Sequence, residues 1–282
     1  MVENRPFNTL IAYIILGFGV LLVAFPVYVA ILASTFDAAT ISNGNMPLTP
    51  GSYADENYYQ TLFHGAAKSS RQPVGTMMVN SFIMAMGIAL GKIVICILSA
   101  YAIVFFKFPF RQTAFWIIFV TLMLPVEVRI YPTYKIVADL GLLDTYTGMI
   151  IPLIASATGT LLFRQFFMTI PDELVEASKI DGAGPYRFLW DTLLPLSITT
   201  IAALFVIQFI YGWNQYLWPL LITTKDSMQT IVIGIKKMLT TQDTLTEWNI
   251  AMTTAVLAML PPVAVVILMQ RFFVKGLVET EK

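Results

Sequence analysis

The chain has 282 residues, of which 57% are hydrophobic and 12% charged, and its mean hydropathy is +0.74. A soluble domain of this size carries about twice that charge. The formal net charge is zero, so nothing points to nucleic acid or to a strongly charged partner surface.

Apolar runs long enough to cross a bilayer predict six helical spans, at about 9–34, 78–105, 113–134, 146–168, 196–222 and 250–273. The fold class read from this is all-α, a polytopic membrane protein with both termini on one side. The first run is too long for a secretory signal and is taken as a retained membrane helix. As organisation, 1–282 forms a single domain, with 9–76 a first membrane helix and outer loop, and 77–273 a five-helix core that includes a polar loop at 169–195. Between the second and third runs Lys107 and Arg111 flank Phe108-Pro109-Phe110 with no acidic residue, which favours a cytoplasmic turn and therefore cytoplasmic termini.

The second run contains Gly87-Ile-Ala-Leu-Gly91-Lys92. A phosphate loop needs wider glycine spacing and Ser or Thr where Ile93 stands, so the glycines predict a close helix-packing face instead. The chain is expected to hold no nucleotide, metal or other cofactor of its own. Lys92, near mid-span, needs a partner. It either faces a transport path and meets an anionic solute, or pairs with Glu127 and fixes helix packing. Glu127 and Arg129 lie in the third run, where Pro125 and Pro132 are expected to interrupt the helix. Arg129 suits a phosphate, or snorkels at the outer interface.

The loop at 169–195 reads as a docking element of two short helices. Pro171 with Asp172 and Glu173 predicts the first helix start, the acids lying at the positive end of its dipole. Gly182 breaks that helix, and Gly184-Pro185 starts a second over Tyr186 to Leu194, with Pro195 turning into the fifth span. In that span Gln208 and Asn214 are about 240° out of phase, so they need not share a face. Tyr211, Trp213, Tyr216 and Trp218 suit an interfacial aromatic belt. Met228 to Leu239 is amphipathic and suits a cap or docking surface. His64 has no companion at ligand spacing, and Cys96 is the lone cysteine, so neither a metal site nor a Ser-His-Asp triad is expected.

The segment Glu176-Ala-Ser-Lys-Ile-Asp181-Gly182-Ala183, together with Trp213-Asn-Gln-Tyr-Leu-Trp-Pro-Leu-Leu221 and Met269-Gln-Arg-Phe-Phe-Val-Lys-Gly-Leu277, resembles the carbohydrate-type permeases of binding-protein-dependent ABC importers, of the maltose permease kind. The opening Glu3-Asn-Arg-Pro6, the Met123-Leu-Pro-Val-Glu-Val-Arg-Ile block and the Phe163 to Glu176 stretch look more specifically like the smaller permeases of bacterial sn-glycerol-3-phosphate importers. The resemblance implies the type I importer permease fold in a bacterial inner membrane. It also implies a second homologous permease, a homodimeric ATPase that binds ATP and magnesium, and a periplasmic or lipid-anchored solute-binding protein. Glu176, Ala177, Asp181, Gly182 and Ala183 match the family's coupling positions, in a loop that meets the ATPase on the cytoplasmic side. Ser178 and Gly184 depart from the usual Ala and Ser, both by small residues. As ionisable or amide groups within the spans, Lys92, Glu127, Arg129, Gln208 and Asn214 are the candidates for the substrate path. A sugar or glycerophosphodiester permease is the alternative within the class. A secondary transporter would show repeated halves and a midplane coupling-ion carboxylate, and no repeat is visible.

Overall fold

The computed structural model describes residues 6–44, 46–65, 72–121, 124, 126–240 and 247–279, and at 6–8, 126–127 and 273–279 it describes the backbone alone. Among the described residues the regular structure is helical throughout. Pro125, Lys68 and Arg71, the opening residues up to Arg5, the side chain of Glu127 and the acidic tail beyond Glu279 lie outside it.

The chain divides into two compact units, one of Met1–Met77 with Gly234–Leu260, the other of Met78–Ile233 with Pro261–Lys282. In the first, the helix Pro6–Ala33 is apolar on all faces and keeps side chains such as Leu21 and Val23 exposed, the pattern of a helix whose surroundings are lipid or other apolar helices. The segment after it is polar in composition yet ordered by hydrogen bonds. Buried Asn57 donates through Nδ2 to the carbonyls of Ser34 and Phe36 at 2.9 and 2.8 Å, and its Oδ1 accepts from Asn249 Nδ2 at 2.8 Å. Asp37 caps the short helix Ala38–Ser42 by accepting from the Thr40 hydroxyl and two backbone N–H groups, which holds its carboxyl below the usual range.

Along the chain the apolar runs map unequally onto helices. Thr9–Ala33, Val74–Phe105 and Trp248–Phe272 are each long and apolar enough to cross a membrane as one helix. The fourth run is a bent pair, Tyr146–Leu153 with Ala157–Phe167, at 49°, and Pro185–Leu196 with Ile198–Trp213 is bent by 74°. The third run is two helices, Arg111–Val120 and Val126–Asp139. Pro132 does not interrupt the second of these: it sits inside the helix, and the Thr133 hydroxyl bonds the Arg129 carbonyl at 2.7 Å in the same turn, the kind of compensation that lets proline persist in a membrane helix. The fifth run is likewise divided, ending at Trp213 and resuming as Leu217–Ile222. Pro195 lies within the short helix Leu194–Leu196 rather than at the turn, which falls at Ser197. Its missing N–H removes a donor from the ladder, and the turn before it, Leu189–Leu193, is wound as a π-helix.

Gly87 and Gly91 pack as the spacing predicts. A Cβ on Gly87 would lie 2.6 Å from Ile150 Cδ1, and one on Gly91 2.6 Å from Ile154 Cγ2, so isoleucine side chains from the first half of the bent fourth span and its bend fill the face that the two glycines leave open. Gly212 makes the closer approach of backbone to backbone from the Ile198–Trp213 helix, where an added Cβ would lie 2.8 Å from Ala85 Cα. The aromatic belt reading fails for two of its four rings. Trp213 and Trp218 are buried, Trp213 against Phe209 and Trp218 with its indole N–H directed at the Gly148 carbonyl, because the break at 214–216 turns this end of the span into the protein.

Asp144 fastens the far end of this span. Held at φ +54°, a conformation Asp adopts more readily than most residues, it accepts from the Thr224 hydroxyl and N–H at 2.6 Å each and from Lys225 N–H at 2.9 Å. These donors, the Thr224 hydroxyl foremost, hold its carboxyl below the ordinary range. A depressed native value adds stability above the unfolded pKa of about 3.9 and loses it as pH falls through the native value. The difference in Tm between the parent protein and Asp144→Asn, followed in detergent from pH 7 to pH 3, is therefore expected to be constant down to about pH 4 and to narrow below it. A difference independent of pH throughout would show that the clamp owes nothing to the charge.

Candidate functional site

The loop at 169–195 has the two-helix form its residues call for. The first helix is Asp172–Ile180, with Pro171 as its extended N-cap rather than its first helical residue, Asp172 and Glu173 in the first turn and Lys179 in the last. It ends in a Schellman turn: Gly182 N–H bonds the Lys179 carbonyl at 3.0 Å and Ala183 N–H bonds the Ser178 carbonyl at 2.9 Å, with Gly182 at φ +73°. Only glycine takes that φ without strain, so the break at Gly182 is a requirement of backbone geometry. Gly184 and Pro185 then cap and open the helix Pro185–Phe188.

One side of the loop packs and the other is bare. Phe188, Leu189 and Leu193 enter a buried cluster with Ile97, Phe163 and Phe167, and Val175 packs at its edge. Glu176, Ala177, Asp181 and Gly182 are exposed, and Ala183 is half-buried. Beside them Ile180 is 85% exposed and Tyr186 83%, an apolar expanse that a free water-facing loop does not need. Of the five residues expected to couple, Glu176 and Ala177 lie on the helix Asp172–Ile180 and Asp181, Gly182 and Ala183 in the turn that ends it, with Ile180 between the two groups and Tyr186 just beyond.

Lys92 and Gln208 are brought together, 116 positions apart in sequence. Lys92 Nζ donates to Gln208 Oε1 at 2.8 Å and lies 3.9 Å from the centre of the Tyr211 ring. Both side chains are 6% exposed. The ammonium is thus met by a neutral amide and a ring face on the Ile198–Trp213 helix, which joins that helix to Val74–Phe105. The expected pairing with Glu127 falls on a side chain outside the described residues. Asn214, six residues beyond Gln208, is the exposed C-cap of its helix, so the two amides do diverge as their phase demands. Arg129 is exposed on Val126–Asp139. Arg129 lies near enough to the buried pair for its charge to act on the Lys92 ammonium, while Asn214 is set apart from them by its exposure at the helix end. Sequence reasoning passed over Tyr101, whose hydroxyl donates to the Pro185 carbonyl of the loop at 2.8 Å, since a tyrosine in an apolar run carries no signal of its partner.

Comparison with known proteins bears on the whole chain. The family described as binding-protein-dependent transport system inner membrane component matches residues 92–279. The sn-glycerol-3-phosphate transport system permease protein UgpE of Rhizobium meliloti (strain 1021) is 58% identical over 282 residues, all of both chains, and its counterpart in Agrobacterium fabrum is equally similar. The protein of that name from Yersinia pestis bv. Antiqua is 55% identical over the same full length. Among solved structures, a bacterial ABC transporter involved in the import of the acidic polysaccharide alginate has a chain that superposes with TM-score 0.81, covering 97% of this chain and 99% of that one at 20% identity. That likeness establishes the shared fold.

Proposed function

The chain belongs to the binding-protein-dependent transport system inner membrane components, a transport subunit with several membrane helices, and on that premise we propose that it forms half of the translocation path of an ATP-driven importer of sn-glycerol 3-phosphate. The observation that carries the substrate is the identity of more than half of all positions, end to end, with relatives bearing that transport name. The other half of the path is a second homologous permease. ATP and magnesium are bound by a separate homodimeric ATPase, and a periplasmic or lipid-anchored binding protein delivers the solute. The termini and the loop at 169–195 face the cytoplasm.

The loop's shape supports its role. Glu176 and Ala177 on the first helix, and Asp181, Gly182 and Ala183 in the turn after it, lie on a stretch that carries the exposed Ile180 and Tyr186, a knob suited to a cleft on the ATPase. Closure of the ATPase dimer on ATP moves this knob, and the helices joined to it shift the path from inward-facing to outward-facing. Hydrolysis resets it. In the path itself the solute's phosphate needs a cation that can be reached. Arg129 is exposed, with Asn214 as an exposed amide, while Lys92 and Gln208 are spent on each other inside the chain. Glu127 remains a path candidate on sequence alone.

The test is ATP-dependent uptake of labelled sn-glycerol 3-phosphate, with maltose as comparison, into vesicles that hold this chain with its co-encoded permease, ATPase and binding protein. Uptake of the phosphate alone is expected. Uptake of maltose instead would overturn the substrate and leave the permease role standing.

A further inference from the structure

The loop is tied to the membrane helices by a residue that the transport scheme above does not use. Tyr101 lies in the last turns of the 32-residue helix Val74–Phe105 and is 8% exposed. Its hydroxyl donates to the Pro185 carbonyl at 2.8 Å, the first residue of the loop's second helix. Its ring meets Phe106 edge-on at 5.1 Å and Phe188 at 6.4 Å, and Phe188 in turn meets Phe105 edge-on at 5.4 Å. Beyond the tethered helix the chain passes through the π-wound turn Leu189–Leu193 and a 74° bend before the next long helix starts at Ile198. The route along the backbone is therefore the irregular one. The tether to Tyr101 leads directly into a continuous helix whose middle is bonded, through Lys92 and Gln208, to Ile198–Trp213.

The geometry points to Tyr101 as the positioning residue that transmits movement of the coupling loop into the helix bundle, through its hydrogen bond to the Pro185 carbonyl. This rests on the reading of the loop as the ATPase contact. Tyr101 touches neither solute nor nucleotide; it sets where the loop's second helix stands relative to Val74–Phe105, so that displacing one displaces the other.

The experiment measures ATP hydrolysed per molecule of labelled sn-glycerol 3-phosphate imported, in liposomes holding the complete importer. Tyr101→Phe keeps the ring and removes the donor. It is expected to raise the ratio about fivefold, the scale that losing one hydrogen bond allows, with assembly and maximal hydrolysis little changed. Phe188→Leu thins the packing and keeps the hydrogen bond, so it is expected to lower thermal stability with the ratio as in the parent. If Tyr101→Phe reduces the yield of complex, the ratio is read on the assembled fraction after gel filtration. A parent-like ratio in Tyr101→Phe overturns the tether, as does a rise in Phe188→Leu equal to that in Tyr101→Phe. A parent complex that hydrolyses ATP without any solute uptake overturns the loop's role as well, and so is told apart from failure of the tether alone.

Discussion

Gly182→Arg is expected to abolish ATP-driven uptake, to below about a tenth of the parent rate, while the protein still reaches the membrane and joins its partners. The size of the effect follows from what surrounds Gly182. A Cβ there has no neighbour within 4 Å, so the substitution does not disturb packing inside the chain. The backbone strain of a side chain at φ +73° is about 1–2 kcal/mol, borne by an exposed turn that the Ser178 and Lys179 carbonyls still hold. What the arginine changes is the outer face, where the turn between Ile180 and Tyr186 gains a long charged side chain in the middle of an apolar contact. Gly182→Ala separates the two effects, since it brings the same strain without the bulk, and it is expected to retain most of the uptake. Parallel measurements of uptake and of ATPase co-purification decide the matter. Normal uptake by an assembled Gly182→Arg complex would mean that this turn does not enter the partner's cleft.

Gln208→Leu is expected to destabilise the protein far more than Lys92→Met does. Removing the amide leaves a buried ammonium whose hydrogen-bond acceptor has become a hydrocarbon, a loss of roughly 3 kcal/mol within the membrane, with only the Tyr211 ring face still in place. Removing the ammonium leaves an unpaired neutral amide and replaces a charge with a side chain of similar length that is at home in apolar packing, for a net change of about 1 kcal/mol. The double variant is expected to recover most of what Gln208→Leu loses, because no charge remains to be stranded. Thermal unfolding of the purified complex in detergent, for the parent and all three variants, measures this cycle. A Gln208→Leu protein as stable as the parent would show that the ammonium is held by another group, and would return Lys92 to the list of residues free to meet the solute.

The turn at Gly182 was legible in sequence because its geometry is local. Asp172 and Glu173, Gly182, and Gly184-Pro185 act on their own backbone within a few residues, and the helices Asp172–Ile180 and Pro185–Phe188 stand where that chemistry puts them. Gly87 and Gly91 were legible for a similar reason: their spacing opens one face of a helix whatever comes to fill it, and Ile150 and Ile154 fill it here. The effect of Pro132 and Pro195 was less so, since a proline marks where a helix is weakened but not whether a neighbouring hydroxyl or a π turn absorbs the loss, and the divisions of the third and fifth runs fall elsewhere, after Val120 and Trp213.

Hydropathy and turn chemistry by themselves determined that this is a helical membrane protein with a polar helix-turn-helix loop at 169–195, since burying apolar surface in lipid and satisfying the backbone at a glycine are properties of short stretches of chain. The tertiary structure decided which polar groups face each other: Lys92 and Gln208, Asp144 and Thr224, Tyr101 and Pro185, separated by 116, 80 and 84 positions. Trp213 and Trp218 belong with these, since the rings that suit a membrane interface also suit a protein core. Each such pairing depends on how two helices cross and rotate about their axes, and the close approaches at Gly87, Gly91 and Gly212 set that crossing through the combined packing of many side chains.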